Sequence, residues 1–263
     1  MRNSTLRKLL AFSAIAFLLL QSCKDDAYLT KQAPTPDQSF VEEFDTMQAA
    51  QSRGWLMRNR SEPIGRGLWT QGMTGLQASG TTVAYSSRST NVGFISADYT
   101  MCHQAGPGGG DISSFVISPR IILQNGDRII FYTRSCDTIS RWGDRLQLVI
   151  NKNNDGIECG RGLDPGDFNV TLVDINPLCA SGFTLPAPTP PSPYAAAPPY
   201  PLIYDNVGGF PNNWTRYEGR VSGLPGATPG RFALRYFVPF GGDSGRGDHI
   251  SIDSVAYVSV NHK

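Results

Sequence analysis

The sequence predicts an all-β fold, an antiparallel β-sandwich with one short helix near its N-terminal end. Two segments, Arg128–Arg134 and Arg145–Ile150, place apolar or β-branched residues at every second position. These residues are Ile129, Phe131 and Thr133 in the first segment, and Leu146, Leu148 and Ile150 in the second. Alternation with period two is typical of a strand that buries one face. Between Ile112–Ser118 and the first segment, Asn125-Gly126-Asp127 has the composition of a turn.

Further elements follow from local patterns along the chain. Phe40–Asp45 is the predicted first strand, with Phe40 and Phe44 facing the core. Thr46–Arg53 lies between a capping threonine and Gly54, which favours one or two helical turns. Two later strands are predicted at Phe168–Ile175 and His249–Val258. Their inward residues are predicted to be Phe168, Val170 and Leu172 in the former, and Ile250, Ile252, Ala256 and Val258 in the latter.

The ordered set of these motifs resembles the choice-of-anchor J domain family, relatives of the cleaved-adhesin and MAM-type jelly rolls. The motifs are Phe40–Asp45, Gly54-Trp55, Trp69, Ile112–Ile150, Gly166-Asp167-Phe168, Asp174-Ile175-Asn176-Pro177, Trp214-Thr215, Gly230–Val238 and Asp248–Val255. The resemblance implies a jelly-roll-like antiparallel β-sandwich in a surface or adhesive context, and it implies no reaction. The chain departs from the family at Phe115 and Ser251, where Trp and Gly are usual.

Residues 1–22 have the composition of a lipoprotein signal peptide. Arg2, Arg7 and Lys8 precede the apolar run Leu9–Leu20, which is short for a membrane span. Leu20–Cys23 resembles a bacterial lipobox, so Cys23 is the predicted lipidation site. Lys24, Asp25 and Asp26 resemble the signal that sends Bacteroidetes lipoproteins to the cell surface. We therefore expect a protein held on the cell outer membrane by a lipid anchor and exposed to the exterior.

The rest of the chain is predicted to form one domain behind a tether. Residues 23–38 are polar and contain two prolines, which is typical of a flexible tether. Residues 39–260 make up the predicted sandwich, and residues 183–205 form a proline-rich insertion within it. The net charge is +1 and the basic residues are scattered. This distribution argues against nucleic-acid binding, which requires a concentrated positive face.

Four cysteines remain once Cys23 is assigned to the lipid: Cys102, Cys136, Cys159 and Cys179. An even number in an oxidising compartment predicts disulfides. The preferred pairing is Cys102–Cys136 with Cys159–Cys179. The pairing of Cys136–Cys179 with Cys102–Cys159 stays open.

A structural calcium ion is predicted near the joined ends of the domain. Glu43 and Asp45 are two residues apart on the first strand, and Asp253 on the last strand points away from Ile250 and Ile252. Carboxylates that converge from two strands suit Ca²⁺, which prefers six to eight oxygen ligands. The alternative is that the three carboxylates are solvated or paired with arginines.

Two classes of function fit these features. The first is a non-catalytic adhesion or interaction module that meets a host or neighbouring protein. The second is a carbohydrate-binding surface protein associated with glycan capture, in which Trp142 and Tyr99 stack on sugars. An enzyme is not predicted, because Gly242-Asp243-Ser244-Gly245 resembles a protease nucleophile site but none of the histidines lies in the matching context.

Overall fold

Two antiparallel β-sheets pack against each other and enclose the main apolar core. A computed structural model of the chain describes residues 35–72, 77–78, 81–82, 93–103, 109–135, 143–180, 204–205, 209–242 and 245–260. Within it, Asp37–Val260 form one compact unit. The predicted signal peptide with Cys23, nearly all of the tether and most of the proline-rich insertion lie outside the described residues.

The described chain contains fifteen strands and one short α-helix. The elements in order are β1 (Phe40–Glu42), α1 (Met47–Ser52), β2 (Leu56–Asn59), β3 (Thr70–Gln71), β4 (Gln77–Ala78), β5 (Thr81–Thr82), β6 (Ile95–Asp98), β7 (Gly110–Ile117), β8 (Ile121–Leu123), β9 (Arg128–Ser135), β10 (Leu146–Asn151), β11 (Val170–Ile175), β12 (Tyr204–Asp205), β13 (Thr215–Arg220), β14 (Thr228–Gly241) and β15 (His249–Val258). A 3-10 helix, Tyr99–Met101, follows β6.

The six-stranded sheet has the order β13-β9-β15-β6-β3, with β1 also paired to β15. The seven-stranded sheet has the order β12-β11-β10-β14-β7-β2, with β8 paired to β14. Strands β4 and β5 form a separate pair, and β12 runs parallel to β11. The pairing of β1 with β15 joins the first and last strands, as the sequence predicts. The all-β sandwich prediction is confirmed.

The core is built by the alternation that the sequence shows. Ile129, Phe131 and Thr133 of β9 are buried, and Leu146, Leu148 and Ile150 of β10 face them from the other sheet. The aromatic rings of Phe40, Phe44, Trp55, Phe232 and Tyr257 pack together at one end, with centroid distances from 5.2 to 6.5 Å. None of the described helices is long and apolar enough to cross a membrane.

Helix α1 begins and ends as the sequence predicts. The Thr46 hydroxyl accepts a hydrogen bond from the Ala49 N–H at 3.1 Å, which caps the first turn. Gly54 follows with a φ of 96°, a conformation that glycine adopts without strain. The predicted helix at Thr46–Arg53 is therefore confirmed.

Two β-bulges alter the predicted inward faces. In β15 the register shifts between Asp253 and Ala256, where Ser254 has a φ of 50°. Val255 and Tyr257 therefore enter the core, and Ala256 and Val258 face outward. A bulge in the β10–β11 pairing places Val173 and Ile175 in the core as well, whereas Val170 and Leu172 pack against the core as the sequence predicts. An extra residue reverses the phase of alternation beyond it, because side chains point to opposite faces in turn.

Candidate functional site

The outer face of the seven-stranded sheet is covered by the chain itself. The loop between β10 and β11 lies over this face and places Cys159 and Phe168 against Phe115, Ile117, Val149 and Ala233. We call this set the outer cluster, and the face the covered face. Phe168 therefore points away from the main core, contrary to the sequence prediction. The residues of the outer cluster are fully or almost fully buried, so the covered face contains a second core.

Charged groups on the covered face are buried and hydrogen-bonded. Arg145 donates to both carboxylate oxygens of Asp174 at 2.8 and 2.5 Å, and Gln147 donates to the same carboxylate at 2.9 Å. Arg235 donates to the Ser113 hydroxyl at 3.0 Å and to the Gly162 carbonyl at 2.6 Å. Burial lowers the pKa of Arg235 to about 9. The Arg235 guanidinium lies 3.8 Å from the Phe237 ring centroid, a cation–π geometry.

The outer face of the six-stranded sheet has a different character. The strand register and the alternation of buried inward residues place the following side chains on it: Ser96, Asp98, Arg128, Ile130, Tyr132, Arg134, Arg216, Glu218, Arg220, His249, Ser251, Asp253, Ala256 and Val258. We call this surface the polar face. Both apolar clusters of the described residues lie elsewhere. The polar face therefore carries hydroxyl, carboxylate, imidazole and guanidinium groups instead of a packed apolar layer. Ser96, Ser251 and Asp253 are buried, whereas Arg216 and Arg220 are exposed.

One end of the polar face, where β15 begins and pairs with β6, consists mainly of short polar side chains. We call it the upper end. The hydroxyls of Ser96 and Ser251 are buried and lie 2.9 Å apart, within hydrogen-bonding distance. His249 and Asp98 are cross-strand neighbours. Burial lowers the pKa of His249, although the nearby Asp98 opposes this effect, so the imidazole is neutral at physiological pH. Its Nε2 is buried and has no hydrogen-bond partner.

Tyr132 lies at the centre of the polar face. Its cross-strand neighbours are Arg216 on β13 and Asp253 on β15. The Tyr132 side chain is half-buried, whereas Asp253 is 1% exposed. The half-buried ring beside the exposed Arg216 guanidinium presents an apolar surface bordered by a hydrogen-bond donor, whereas the Asp253 carboxylate lies beneath the surface.

The opposite end of the polar face, where β9 begins and β13 and β15 end, is rich in arginine. We call it the lower end. Arg216 donates to Glu218 at 2.8 Å, and Arg220 and Arg128 approach the same carboxylate at 3.5 and 3.7 Å. The hydrogen bond from Arg216 lowers the pKa of Glu218, and the other two arginines act in the same direction. Ile130 and Val258 lie beside these charges and are half-buried.

The structure places Tyr99, a predicted sugar-stacking residue, just above the polar face. It begins the 3-10 helix after Asp98, and its backbone N–H donates to the Asp248 carbonyl at 2.9 Å. Its ring is partly buried against the main core. Trp142, the other predicted stacking residue, lies outside the described residues. The predicted Trp142–Tyr99 platform therefore stays a prediction.

The three predicted calcium ligands come together only in part. The Ser254 hydroxyl donates to Glu43, and the Ser254 N–H donates to Asp253 at 2.7 Å, so these two carboxylates meet through one residue. Asp45 is exposed, and its negative charge helps to raise the pKa of Arg53. Among the described residues no group of three acidic, histidine or cysteine side chains forms a metal site. The three predicted residues therefore do not make up the site on their own.

The predicted Cys159–Cys179 disulfide is corrected by the structure. Both thiols are free and buried, and they lie on opposite faces of the seven-stranded sheet. Cys159 belongs to the outer cluster and Cys179 to the main core, so the sheet itself separates them. The alternative Cys102–Cys159 pair is not formed either, since Cys159 is free. Cys136 lies outside the described residues.

Burial keeps the free thiols protonated at neutral pH. It raises the pKa of Cys179 to about 12 and raises that of Cys159 as well. Cys102 is buried beside Glu62, with its Sγ 3.6 Å from the Glu62 carbonyl oxygen.

A buried carboxyl group holds the loop before β15. Asp144 is fully buried and accepts hydrogen bonds from the Tyr236 hydroxyl at 2.7 Å and the Asp248 N–H at 2.8 Å. Burial raises the pKa of Asp144 to about 7, and these hydrogen bonds only partly offset that effect. The Arg246-Gly247-Asp248 tripeptide is therefore anchored to the interior at its aspartate, with Gly247 buried.

No protein-family model and no curated protein matches the chain. Among solved structures it is similar to two cleaved adhesin domains of Lys-gingipain from Porphyromonas gingivalis W83. The K1 domain is 14% identical over 85% of this chain and 99% of that domain, with a TM-score of 0.42. The K3 domain is 14% identical over 85% of this chain and 100% of that domain, with a TM-score of 0.43.

The chain is also similar to a family 11 carbohydrate-binding module from Clostridium thermocellum, in complex with a β-1,3-1,4-mixed-linked tetrasaccharide. That module is 9% identical over 87% of this chain and 99% of its own, with a TM-score of 0.37. Cleaved adhesin domains, which the sequence resemblance names, are among the solved structures to which the chain is distantly similar. The choice-of-anchor J assignment stays a prediction. Since these likenesses are distant, the function is inferred from the chain's own residues.

Sequence reasoning missed most of the polar face. The alternation of β9 does place Ile130, Tyr132 and Arg134 opposite its buried residues. The neighbours of Tyr132, however, come from β13 and β15, which are distant in sequence. Only the strand register brings these groups together, and composition does not encode register.

Proposed function

We propose that this chain is a non-catalytic binding module that captures a glycan on the polar face of its six-stranded sheet. The observation that carries this proposal is the contrast between the two outer faces. The covered face buries its apolar and charged groups under a loop, whereas the polar face leaves Tyr132 half-buried beside the exposed Arg216. A face that served only the fold would gain stability from an apolar cover.

The groups of the polar face match the chemistry of a sugar. Hydroxyl groups of a sugar accept hydrogen bonds from guanidinium groups and donate to carboxylates, and these charge-assisted bonds are the stronger kind. The apolar side of a sugar ring packs on an aromatic ring such as that of Tyr132. Binding sites of this kind combine an apolar surface with a few placed polar groups.

A glycan array followed by calorimetry tests the proposal. We expect the chain to bind at least one class of oligosaccharide, and Tyr132→Ala to weaken that binding about tenfold while the fold is retained. Phe240→Ala provides the control, because Phe240 is an exposed aromatic on the other sheet, and we expect it to bind as the parent does. Equal binding by Tyr132→Ala and the parent would move the site away from the polar face.

Adhesion to a protein is the second candidate function, and one loop favours it. Ile64 and Leu68 are 59% and 70% exposed on either side of Arg66. The intervening glycines hold this loop against the 3-10 helix, since a Cβ at Gly65 would lie 2.2 Å from the Thr100 carbonyl oxygen. Ile64 and Arg66 also line a cavity of about 210 Å³. Exposed apolar side chains around a cation, on a closely packed loop backbone, suit a protein partner, because little backbone entropy is lost on binding.

We further propose that the module is displayed on the outer membrane through a lipid on Cys23. The support is the basic start, the apolar run and Leu20–Cys23. Cys23→Ala is expected to leave the membrane fraction while remaining folded, because the lipid chains provide the anchor. Retention of that variant would contradict anchoring. Alanines at Lys24, Asp25 and Asp26 should leave the protein lipidated but protected from protease in intact cells, and unchanged exposure would contradict the export signal.

Calcium stays a prediction for the corner where β1 meets β15. Glu43 and Asp253 supply two carboxylates there, joined through Ser254. Ion binding to the folded state alone raises stability by mass action. Thermal unfolding with excess calcium or with a chelator tests it: we expect a higher Tm with calcium for the parent and no change for Asp253→Asn. An unchanged Tm of the parent protein in calcium would contradict the prediction.

A further inference from the structure

Three arginines at the lower end of the polar face share a single carboxylate. Arg128, Arg216 and Arg220 all lie within 3.7 Å of Glu218, and their side chains are 38%, 45% and 69% exposed. One carboxylate balances one of the three positive charges. Among the described residues, the cluster therefore has an excess of two positive charges on an exposed surface.

The strand register adds a second unusual feature. Arg220 of β13 lies directly opposite Arg128 of β9, so two like charges form a cross-strand pair. Like charges in this position destabilise a sheet. Glu218 lies opposite Ile130 instead, and it reaches both arginines only from the side. An anion bound between the two guanidinium groups would remove this repulsion.

Of the other exposed arginines in the described chain, Arg58 and Arg66 have no ion-pair partner among the described residues, and four have a carboxylate of their own. The pairs are Arg53 with Glu42, Arg60 with Glu158, Arg120 with Asp155, and Arg161 with Glu62. The cluster around Glu218 is thus a local excess in a chain whose net charge is only +1. Guanidinium groups bind carboxylate and sulfate-like oxyanions through two parallel hydrogen bonds, which makes arginine suited to such ligands.

We propose that the ligand of the polar face is an anionic glycan, one that carries sulfate or carboxylate groups. Arg128, Arg216 and Arg220 bind the anionic groups, and Tyr132, directly opposite Arg216, packs on the adjoining sugar ring. Half-buried Ile130 lies between these two parts of the surface. The inference rests on the proposed glycan-binding function and adds the ligand class.

Binding to four defined probes tests the inference: a heparin-derived decasaccharide, an oligogalacturonate, neutral cellohexaose and a single-stranded oligonucleotide. We expect the parent to bind at least one anionic saccharide more than tenfold more tightly than cellohexaose. The double variant Arg216→Ala/Arg220→Ala should lose at least tenfold, and the dependence of log Kd on log salt should fall by about one for each guanidinium removed. Arg120→Ala/Arg161→Ala removes the same charge elsewhere and should bind within twofold of the parent.

Glu218→Gln gives a result that a merely structural cluster would not produce. Removing the shared carboxylate frees all three guanidinium groups, so binding of the anionic saccharide should tighten several-fold. Unchanged or weaker binding, an equal loss in the Arg120/Arg161 control, or oligonucleotide binding as tight as that of the saccharides would each overturn the inference. Tight binding of cellohexaose alone would overturn the anionic class while leaving the proposed function intact. Binding of no saccharide would overturn both.

Discussion

The two outer faces of this sandwich start from the same strand alternation and end in opposite states. On the covered face, Arg145 and Asp174 are paired in the interior, and a loop adds Cys159 and Phe168 as an apolar cover. On the polar face, Arg216, Arg220 and Glu218 keep contact with water. The difference teaches that the pleat alone does not decide what an outward side chain does. The covering loop decides it.

The largest effect is expected on the covered face, from Asp174→Ala. This change leaves the Arg145 guanidinium buried without its carboxylate, and breaking a buried pair costs about 3–5 kcal/mol of unfolding free energy. Chemical denaturation measures the loss. Glu158→Ala breaks the exposed pair with Arg60 and should cost less than about 1 kcal/mol. Equal costs for the two variants would mean that the covered face is not a second core.

The buried carboxyl group of Asp144 provides a second test, because it is hydrogen-bonded in the interior and, unlike Asp174, forms no ion pair with a described residue. Asp144 has a folded-state pKa of about 7 against an ordinary value of 3.8, so the folded state favours the proton. Its contribution to stability is therefore complete below about pH 4, declines as pH rises toward 7, and is lost above that. The total decline is on the order of 4 kcal/mol. Denaturation at pH 5 and pH 8 measures the part of the decline above pH 5, on the order of 3 kcal/mol, and Asp144→Asn should lose this part of the pH dependence. An unchanged slope in the variant would assign the effect to other groups.

The smallest effects come from a matched pair of apolar residues, one on each face. Val149 of β10 is 1% exposed in the outer cluster, and Val149→Ala should cost about 2 kcal/mol through lost burial and a cavity. Ile130 of β9 also points outward but is only half-buried, and Ile130→Ala should cost less than about 1 kcal/mol. If Ile130→Ala costs as much as Val149→Ala, the polar face has an apolar cover of its own.

The sequence predicted the strands better than the faces. Uninterrupted alternation in β9 and β10 placed Phe131 and Leu148 in the core as expected. The bulge in β15 then reversed the phase, so Val258 faces outward, and the loop before β11 places Phe168 on the covered face, neither of which the sequence predicted. A bulge depends on backbone strain and partner register, and neither leaves a periodic signal.

Candidate site residues divide in the same way. Asp253 lies on the outward side, where the sequence predicted it, because only two residues of regular strand separate it from Ile250. The cluster of Arg128, Arg216 and Glu218 was missed, since β9 and β13 meet only in the folded sheet. Disulfide pairing failed for a related reason: sequence spacing does not show that a sheet separates Cys159 from Cys179.

The most direct test of the glycan-binding account is an NMR titration of isotope-labelled protein with the best-binding oligosaccharide. The account predicts that the largest amide shifts fall on β9, β13 and β15 around Tyr132, Arg216 and Asp253, which are neighbours across these strands. The amides of Gln147 and Arg235 on the covered face should stay unchanged. Shifts centred on β10 and β14, with none around Tyr132, would contradict it.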